Sequence, residues 1–249
     1  MGLPGVEVIE QAGLRGWPGL ESEFDGTWIR RAANGYTKRA NSVQCLDPTD
    51  GDNAPARIAA SKAWFEDRGL QPVFRITPLA SPRLVDALNE AGWDSIDHSH
   101  LFAMELNSMP FDPRGEIYDL LEPAFLAVQQ RLQGYSDETL GKLRAVLALI
   151  EAPAGGVVLY SPEGEPVASS LMGIVDGIVL TGNVVTDKTQ RRKGYGAAMM
   201  RSGLAWATDA GAKVAALNVA ADNPAGQALY RSLGYRRQYD YTYRTPGAA

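Results

Sequence analysis

Laid over itself at a displacement of 142 residues, the chain repeats its turn punctuation without a gap. Asn34-Gly35 falls under Asp176-Gly177, Asn41 under Asn183, Gly69 under Gly211, Ser81-Pro82 under Asn223-Pro224, and Gly92-Trp93 under Gly234-Tyr235. Trp64 falls under Trp206 in the same register. Turn glycines mark backbone positions of special φ and ψ or the ends of helices, so a shared register of them implies a shared fold. The 249 residues therefore read as two copies of one unit, each long enough to bury a core. The expected division is 1–107 for the first copy, 108–115 as a linker with two prolines and a terminal glycine, and 116–249 for the second.

Local signals fill in the copies. In the first, residues 6–9 read as a short strand, and 28–32 with 36–43 as a hairpin closed by the two-residue turn Asn34-Gly35. Residues 55–68 form a helix with Pro55 in its first turn and Gly69 as its stop, 73–76 a strand, and Ser81-Pro82 opens a second helix. Residues 101–106 close this copy as a strand. In the second copy, 116–133 and 136–150 read as helices, and 157–160 and 167–175 as strands. The turn Asp176-Gly177 leads into a strand over 178–185. A helical run over 197–210 carries Ala197, Met200, Leu204 and Ala207 on one face, followed by a strand over 213–220. Asn223 caps a last helix, and Tyr239, Tyr241 and Tyr243 alternate along the final strand.

The chemistry concentrates in residues 183–196, N-V-V-T-D-K-T-Q-R-R-K-G-Y-G, where a strand delivers a basic loop and two glycines to a helix start. Unpaired N–H groups and the positive end of a helix dipole favour an anion there, and Gly194 and Gly196 let a phosphate approach the backbone. Arg191, Arg192 and Lys193 add positive charge, so the stretch reads as a pyrophosphate cradle. The repeat places Asp50, Gly51, Asp52 and Ala54 under Arg192, Lys193, Gly194 and Gly196, which makes the first copy non-binding by charge repulsion. A net charge of −5 argues against a general nucleic-acid binder. The single cysteine, Cys45, excludes an internal disulfide. No apolar leader or membrane-length run is present, so a cytoplasmic location without membrane partners is expected. His98 and His100 share a strand face, but no Cys or carboxylate lies at metal-ligand spacing, and no metal site is expected.

Arg191-x-x-Gly194-x-Gly196 together with Asn223-x-x-Gly226-x-x-x-Tyr230-x-x-x-Gly234-Tyr235 resembles the paired motifs of the GNAT superfamily of N-acetyltransferases. The resemblance covers residues 157–244 directly and the first copy only through the repeat. It implies an α/β (α+β) fold of two GNAT-like repeats, each a mixed, mostly antiparallel central sheet flanked by helices. It implies acetyl-CoA, released as CoA, and an amine-bearing acceptor on a small molecule or protein. Val184, Val185 and Thr186 resemble the strand that pairs with the pantetheine arm. The backbone from Arg192 through Lys193, Gly194, Tyr195 and Gly196 to Ala197 resembles the pyrophosphate loop, with Arg191 opening its motif. Asn223 is similar to the residue contacting the pantetheine region, and Tyr230 to the general acid. On an ideal helix Tyr230 lies about 100° from Leu229, which lets its hydroxyl leave the core for a cleft.

One element is missing from that pattern. Residues 182–186 carry no carboxylate to act as general base, so the amine would lose its proton through water or through Asp222, the named candidate. The absent carboxylate also keeps open a second class, a non-catalytic acyl-CoA-binding sensor.

Overall fold

The computed structural model describes residues 2–247. In chain order the elements are α1 (Val6–Gly16), β1 (Glu21–Asp25), β2 (Trp28–Ala32), β3 (Val43–Cys45), α2 (Ala54–Glu66), β4 (Phe74–Ile76), α3 (Pro82–Glu90) and β5 (Trp93–Glu105). They continue with β6 (Gly115–Tyr118), α4 (Pro123–Gln133), α5 (Asp137–Leu147), β7 (Ala154–Tyr160), β8 (Pro166–Val175), β9 (Ile178–Thr186), α6 (Tyr195–Asp209), β10 (Val214–Ala220), α7 (Pro224–Ser232) and β11 (Arg236–Pro246). Two compact units interleave along this order. The first holds Pro4–Leu101, Ala220–Asp222 and the chain from Arg237; the second holds Phe102–Val219 and Asn223–Arg236. A single cut near residue 107 therefore does not describe them. Strand β5 begins in one unit and ends in the other, and β11 returns to the first.

In the first unit the strands lie in the order β1-β2-β3-β4-β11-β5. Trp28, Val43, Phe65, Phe74, Leu84, Leu88 and Trp93 form its core on one face. The opposite face carries Arg75 and Tyr243, which stand opposite each other in the β4–β11 ladder. Helix α1 presents Ile9, Glu10 and Ala12 as buried positions. Its Glu10 carboxylate accepts from Arg75 and from the Tyr239 hydroxyl, while the Arg75 guanidinium lies 4.0 Å from the Tyr241 ring centroid. The expected strand over residues 6–9 is thus helix. Its valines suit a strand, but packing one side of the segment decides the matter, and weak propensities yield to tertiary context.

The turn Asn34-Gly35 does form, with φ of 51° and 78°, matching 49° and 76° at Asp176-Gly177. The strand expected after it, 36–43, does not. The Asn41 Oδ1 accepts from the amides of Ala33 (2.7 Å) and Gly35 (3.0 Å), which holds residues 36–41 in a tight loop. Antiparallel pairing with β2 resumes only at Val43, opposite Arg30. Helices α3 and α7 share the same length and the same offset, and both are capped as expected: Ser81 accepts from the Leu84 amide and Asn223 from the Gly226 amide.

The loop before α2 is closed by its own side chains. Asp50 accepts from Arg57 (2.6 Å) and from the amide and hydroxyl of Thr27 (2.8 Å each). The Arg57 guanidinium also covers the Trp28 ring at 3.8 Å. The Arg57 hydrogen bond holds the Asp50 carboxyl down to about 2, and the Thr27 donors add to it. A carboxylate depressed in the folded state stabilises above its unfolded range, near 3.8, and loses that contribution as pH falls towards 2. Acid titration followed by circular dichroism is expected to show a loss of stability between about pH 4 and 2, part of which Asp50→Asn removes, since Arg114 holds Asp112 down in the same range. Retention of the full acid transition in that variant would place its origin elsewhere.

In the second unit β6, β7, β8 and β9 pair antiparallel in sequence, β10 runs parallel to β9, and the end of β5 lies beside β10. This is the mixed, mostly antiparallel sheet expected. The core joins Val157, Leu159 and Met172 of the sheet to Met199, Met200 and Leu204 of α6 and to Tyr230 and Tyr235. The stretch 116–133 is not one helix. Its start is the edge strand β6, with Glu116 opposite Val158, and α4 begins only at Pro123, which is tolerated in a first helical turn and not in an interior. On the other face of the sheet, Phe125 of α4 lies so close to Gly156 that a Cβ there would sit 2.5 Å from the ring.

Candidate active site

The site grows out of the end of β9. The parallel ladder between β9 and β10 stops at Thr181 opposite Leu217. From Gly182 to Thr186, β9 is paired through β8 alone, with Val185 opposite Ser169 and Thr186 opposite Ala168. That leaves one edge of an extended backbone open, with Val184, Val185 and Thr186 half-buried along it. Such an edge offers N–H and C=O groups to an added extended chain.

The ladder between β8 and β9 also slips here. Leu171 stands opposite Gly182 and Ser169 opposite Val185, so two residues, Asn183 and Val184, face the single Ser170. This is a β-bulge, and its first residue has a φ of 49°. The sequence marks the position only by Asn183, an amino acid that tolerates left-handed φ; its counterpart Asn41 has a φ of −130°.

Beyond β9, Asp187 caps a short 3₁₀ turn by accepting from the amide of Thr189 (2.8 Å). Arg191, Arg192 and Lys193 are exposed. Lys193 donates to Gln190 Oε1 at 2.8 Å, whereas the side chains of Arg191 and Arg192 make no hydrogen bond or ion pair among the described residues. Helix α6 then starts at Gly194, whose φ is 81° and which supplies no side-chain cap. The first amides of α6, on Tyr195, Gly196 and Ala197, therefore keep free donors at the positive end of a 15-residue helix. Gly196 lets this first turn rest on β9, because a Cβ there would come within 3.0 Å of Thr186 Oγ1. The chemistry of the donor set fits a pyrophosphate: uncapped amides, a left-handed glycine and unpaired arginines beside an open strand edge.

The comparable loop of the first unit differs in a way the gapless alignment obscures. There the left-handed residue before the helix is Asn53, with φ of 55°, so the local offset from Gly194 is 141 rather than 142. Asn53, not Asp52, stands in the glycine's place. Asp52 instead pairs with Arg83, and Gly51 packs so closely on Ser81 that no side chain fits.

Asn223 and Tyr230 are both carried by α7, the first as its exposed cap and the second buried in its last turn. The Asn223 Oδ1 takes the Gly226 amide at 2.9 Å, and a Cβ on Gly226 would press within 2.7 Å of the Asn223 amide nitrogen. Tyr230 sits in the core at 7% exposure, its ring edge-on to Tyr235 at 6.0 Å. Burial alone pushes its phenol up to about 12, and no described residue hydrogen-bonds its hydroxyl. Its ring is thus less cleft-facing than the helical wheel suggests. Asp222 is exposed on the turn before α7, counts with the first compact unit, and makes no ion pair among the described residues. His100 bonds Asp240 at 2.7 Å, both within the first unit.

The family model described as the C-terminal part of the probable histone acetyltransferase Rv0428c matches residues 5–244 of this chain. The uncharacterized N-acetyltransferase YobR of Bacillus subtilis (strain 168) is 25% identical over 246 residues, covering 96% of this chain and 98% of YobR. The probable histone acetyltransferase Rv0428c of Mycobacterium tuberculosis is 31% identical over 85 residues, 34% of this chain and 27% of that protein. A GCN5-related N-acetyltransferase from Kribbella flavida has the same fold at a TM-score of 0.76 and 19% identity, over 100% of this chain and 98% of that one. A tandem GNAT protein from the clavulanic acid biosynthesis pathway follows at 0.68 and 11% identity, over 100% and 90%. The chain belongs to the family of the C-terminal part of the probable histone acetyltransferase Rv0428c, and its fold is that of the GNAT N-acetyltransferases.

Proposed function

We propose that the second unit binds acetyl-CoA and passes its acetyl group by direct attack to an amine on a small molecule or protein. The observation that carries this reading is the juxtaposition of an uncapped helix N-terminus with the unpaired edge of β9. The backbone from Arg192 to Ala197 holds the pyrophosphate, with Arg191, Arg192 and Lys193 adding charge. Val184, Val185 and Thr186 take the pantetheine arm as an added strand, near Asn223. Bound acetyl-CoA supplies a thioester already activated towards amines. The chain supplies a backbone amide for the carbonyl oxygen and the Tyr230 hydroxyl for the departing sulfur. No carboxylate lies on β9, so the amine loses its proton to water, with Asp222 the candidate carboxylate nearest Asn223 in the chain. A cytoplasmic setting suits the single free and buried Cys45, and no described helix is long and apolar enough to cross a membrane.

Calorimetric titration with acetyl-CoA is expected to give one site per chain, and CoA release is expected to depend on added amine. Two sites would overturn the asymmetry of the units. Tight binding with no release across a broad amine panel would assign the chain to the non-catalytic acyl-CoA sensors.

A further inference from the structure

Helix α4 lays a row of three side chains across the sheet of the second unit. Phe125, Gln129 and Gln133 are four residues apart and so share one helix face. Phe125 rests on Gly156 of β7, Gln129 Nε2 donates to Ser169 Oγ of β8 at 2.9 Å, and Gln133 Nε2 donates to the main-chain oxygen of Asn183 in β9 at 3.0 Å. The last contact falls on the bulge. At that point the β8–β9 ladder has lost its regular register, so strand pairing does not fix the peptide plane between Asn183 and Val184. The Asn183 side chain adds a second tie, from its Nδ2 to the Tyr135 hydroxyl at 3.4 Å.

A trans peptide is planar, and its C=O and N–H point in opposite directions. Whatever holds the Asn183 oxygen therefore also aims the Val184 N–H. We propose that Gln133 is a positioning residue: by holding the Asn183 carbonyl it orients the Val184 amide towards the thioester carbonyl of bound acetyl-CoA. The inference rests on the acetyl-CoA reading above and adds to it the group that sets the geometry of the amide. Gln133 touches no reacting atom. Its effect passes through one peptide plane of a strand fifty positions along the chain.

The test compares acetyl-CoA with its thioether analogue S-ethyl-CoA, which has the same shape but lacks the carbonyl oxygen. Calorimetry on the full chain is expected to show acetyl-CoA bound about fivefold more tightly, the size of one net hydrogen bond. Gln133→Met keeps the length of the side chain and removes the donor. That variant is expected to bind both ligands alike, at the affinity the unchanged protein shows for the thioether, with an unchanged melting temperature. Gln130→Met is the control, because Gln130 lies on the same helix but donates to Asp137 at an exposed site (2.7 Å). It is expected to keep the whole preference. A preference retained in Gln133→Met, or lost equally in Gln130→Met, overturns the role of Gln133. Equal binding of the two ligands by the unchanged protein overturns it too, while leaving the cofactor assignment standing. Binding of neither ligand is the separate failure of the acetyl-CoA reading.

Discussion

Gly194→Asp is expected to weaken acetyl-CoA binding by at least about a hundredfold while leaving the fold intact. Two effects act at this position, and their sizes differ. The residue has a φ of 81°, and placing a side chain in that left-handed conformation costs roughly 1 kcal/mol, less for Asp and Asn than for most. No atom lies within 4 Å of where its Cβ would be, so no clash adds to that cost. The charge is the larger effect. A carboxylate about 4 Å from a phosphate oxygen costs about 4 kcal/mol at an effective dielectric of ~20, equivalent to roughly a thousandfold in affinity before screening. Gly194→Asn separates the two. It has the shape of the aspartate and no charge, and asparagine is what the first unit carries at the matching helix start, Asn53. Its loss of affinity is expected to stay below about tenfold, as the strain alone requires. Calorimetry at two salt concentrations checks the assignment, because the aspartate effect should shrink as salt rises. An aspartate variant that binds like the unchanged protein would mean that the start of α6 holds no phosphate.

The features that sequence revealed well are those decided within a few residues. Helices α3 and α7 begin one residue after a capping side chain, with proline in their first turn, and both caps form as written. The turns at Asn34-Gly35 and Asp176-Gly177 need left-handed backbone at both central residues, which Asn, Asp and Gly supply. The helix start at Gly194 is legible for the same reason. Features decided by distant partners were not legible. Residues 36–41 become a loop because Asn41 reaches back to Ala33 and Gly35, where the same turn in the second unit continues into a nine-residue strand. Helix α1 is fixed by what its buried side pairs with, above all Glu10 with Arg75, sixty-five positions away. The interleaving of the units follows from β5 and β11, whose partners no local pattern names. Within the site, the loop and cap could be read, but the bulge at Asn183 and its tie to Gln133 could not. The gapless repeat even misplaced the residue matching Gly194 by one, since a register read from turns does not see a single-residue shift between them.

Tyr230→Phe is expected to slow amine-dependent CoA release by about 10- to 100-fold, with little change in stability or in acetyl-CoA affinity. The hydroxyl makes no hydrogen bond to any described residue, so its removal leaves no partner stranded. The size of the kinetic effect follows from how acidic the phenol is. Burial pushes Tyr230 up to about 12. A thiol has a pKa near 8.5, so complete proton transfer from this phenol to a departing thiolate would run uphill by roughly 5 kcal/mol. Tyr230 therefore serves better as a hydrogen-bond donor to the sulfur, while the proton itself comes from the nitrogen that has just been acylated. A hydrogen bond to a charged group is worth about 1.5–3 kcal/mol, which sets the range given for the variant. The pH dependence separates the two roles. A neutral phenol favoured in the folded state keeps its proton as pH rises past 10 and loses it only towards 12, so Tyr230 should impose no alkaline limb on kcat/KM below about pH 11. The profile from pH 6 to about 10.5 should then be set by the acceptor amine and be shared by the phenylalanine variant at a lower level. An alkaline limb near pH 9 in the unchanged protein that vanishes in Tyr230→Phe would make Tyr230 a full proton donor with a much lower pKa, and the hydrogen-bond account would fall.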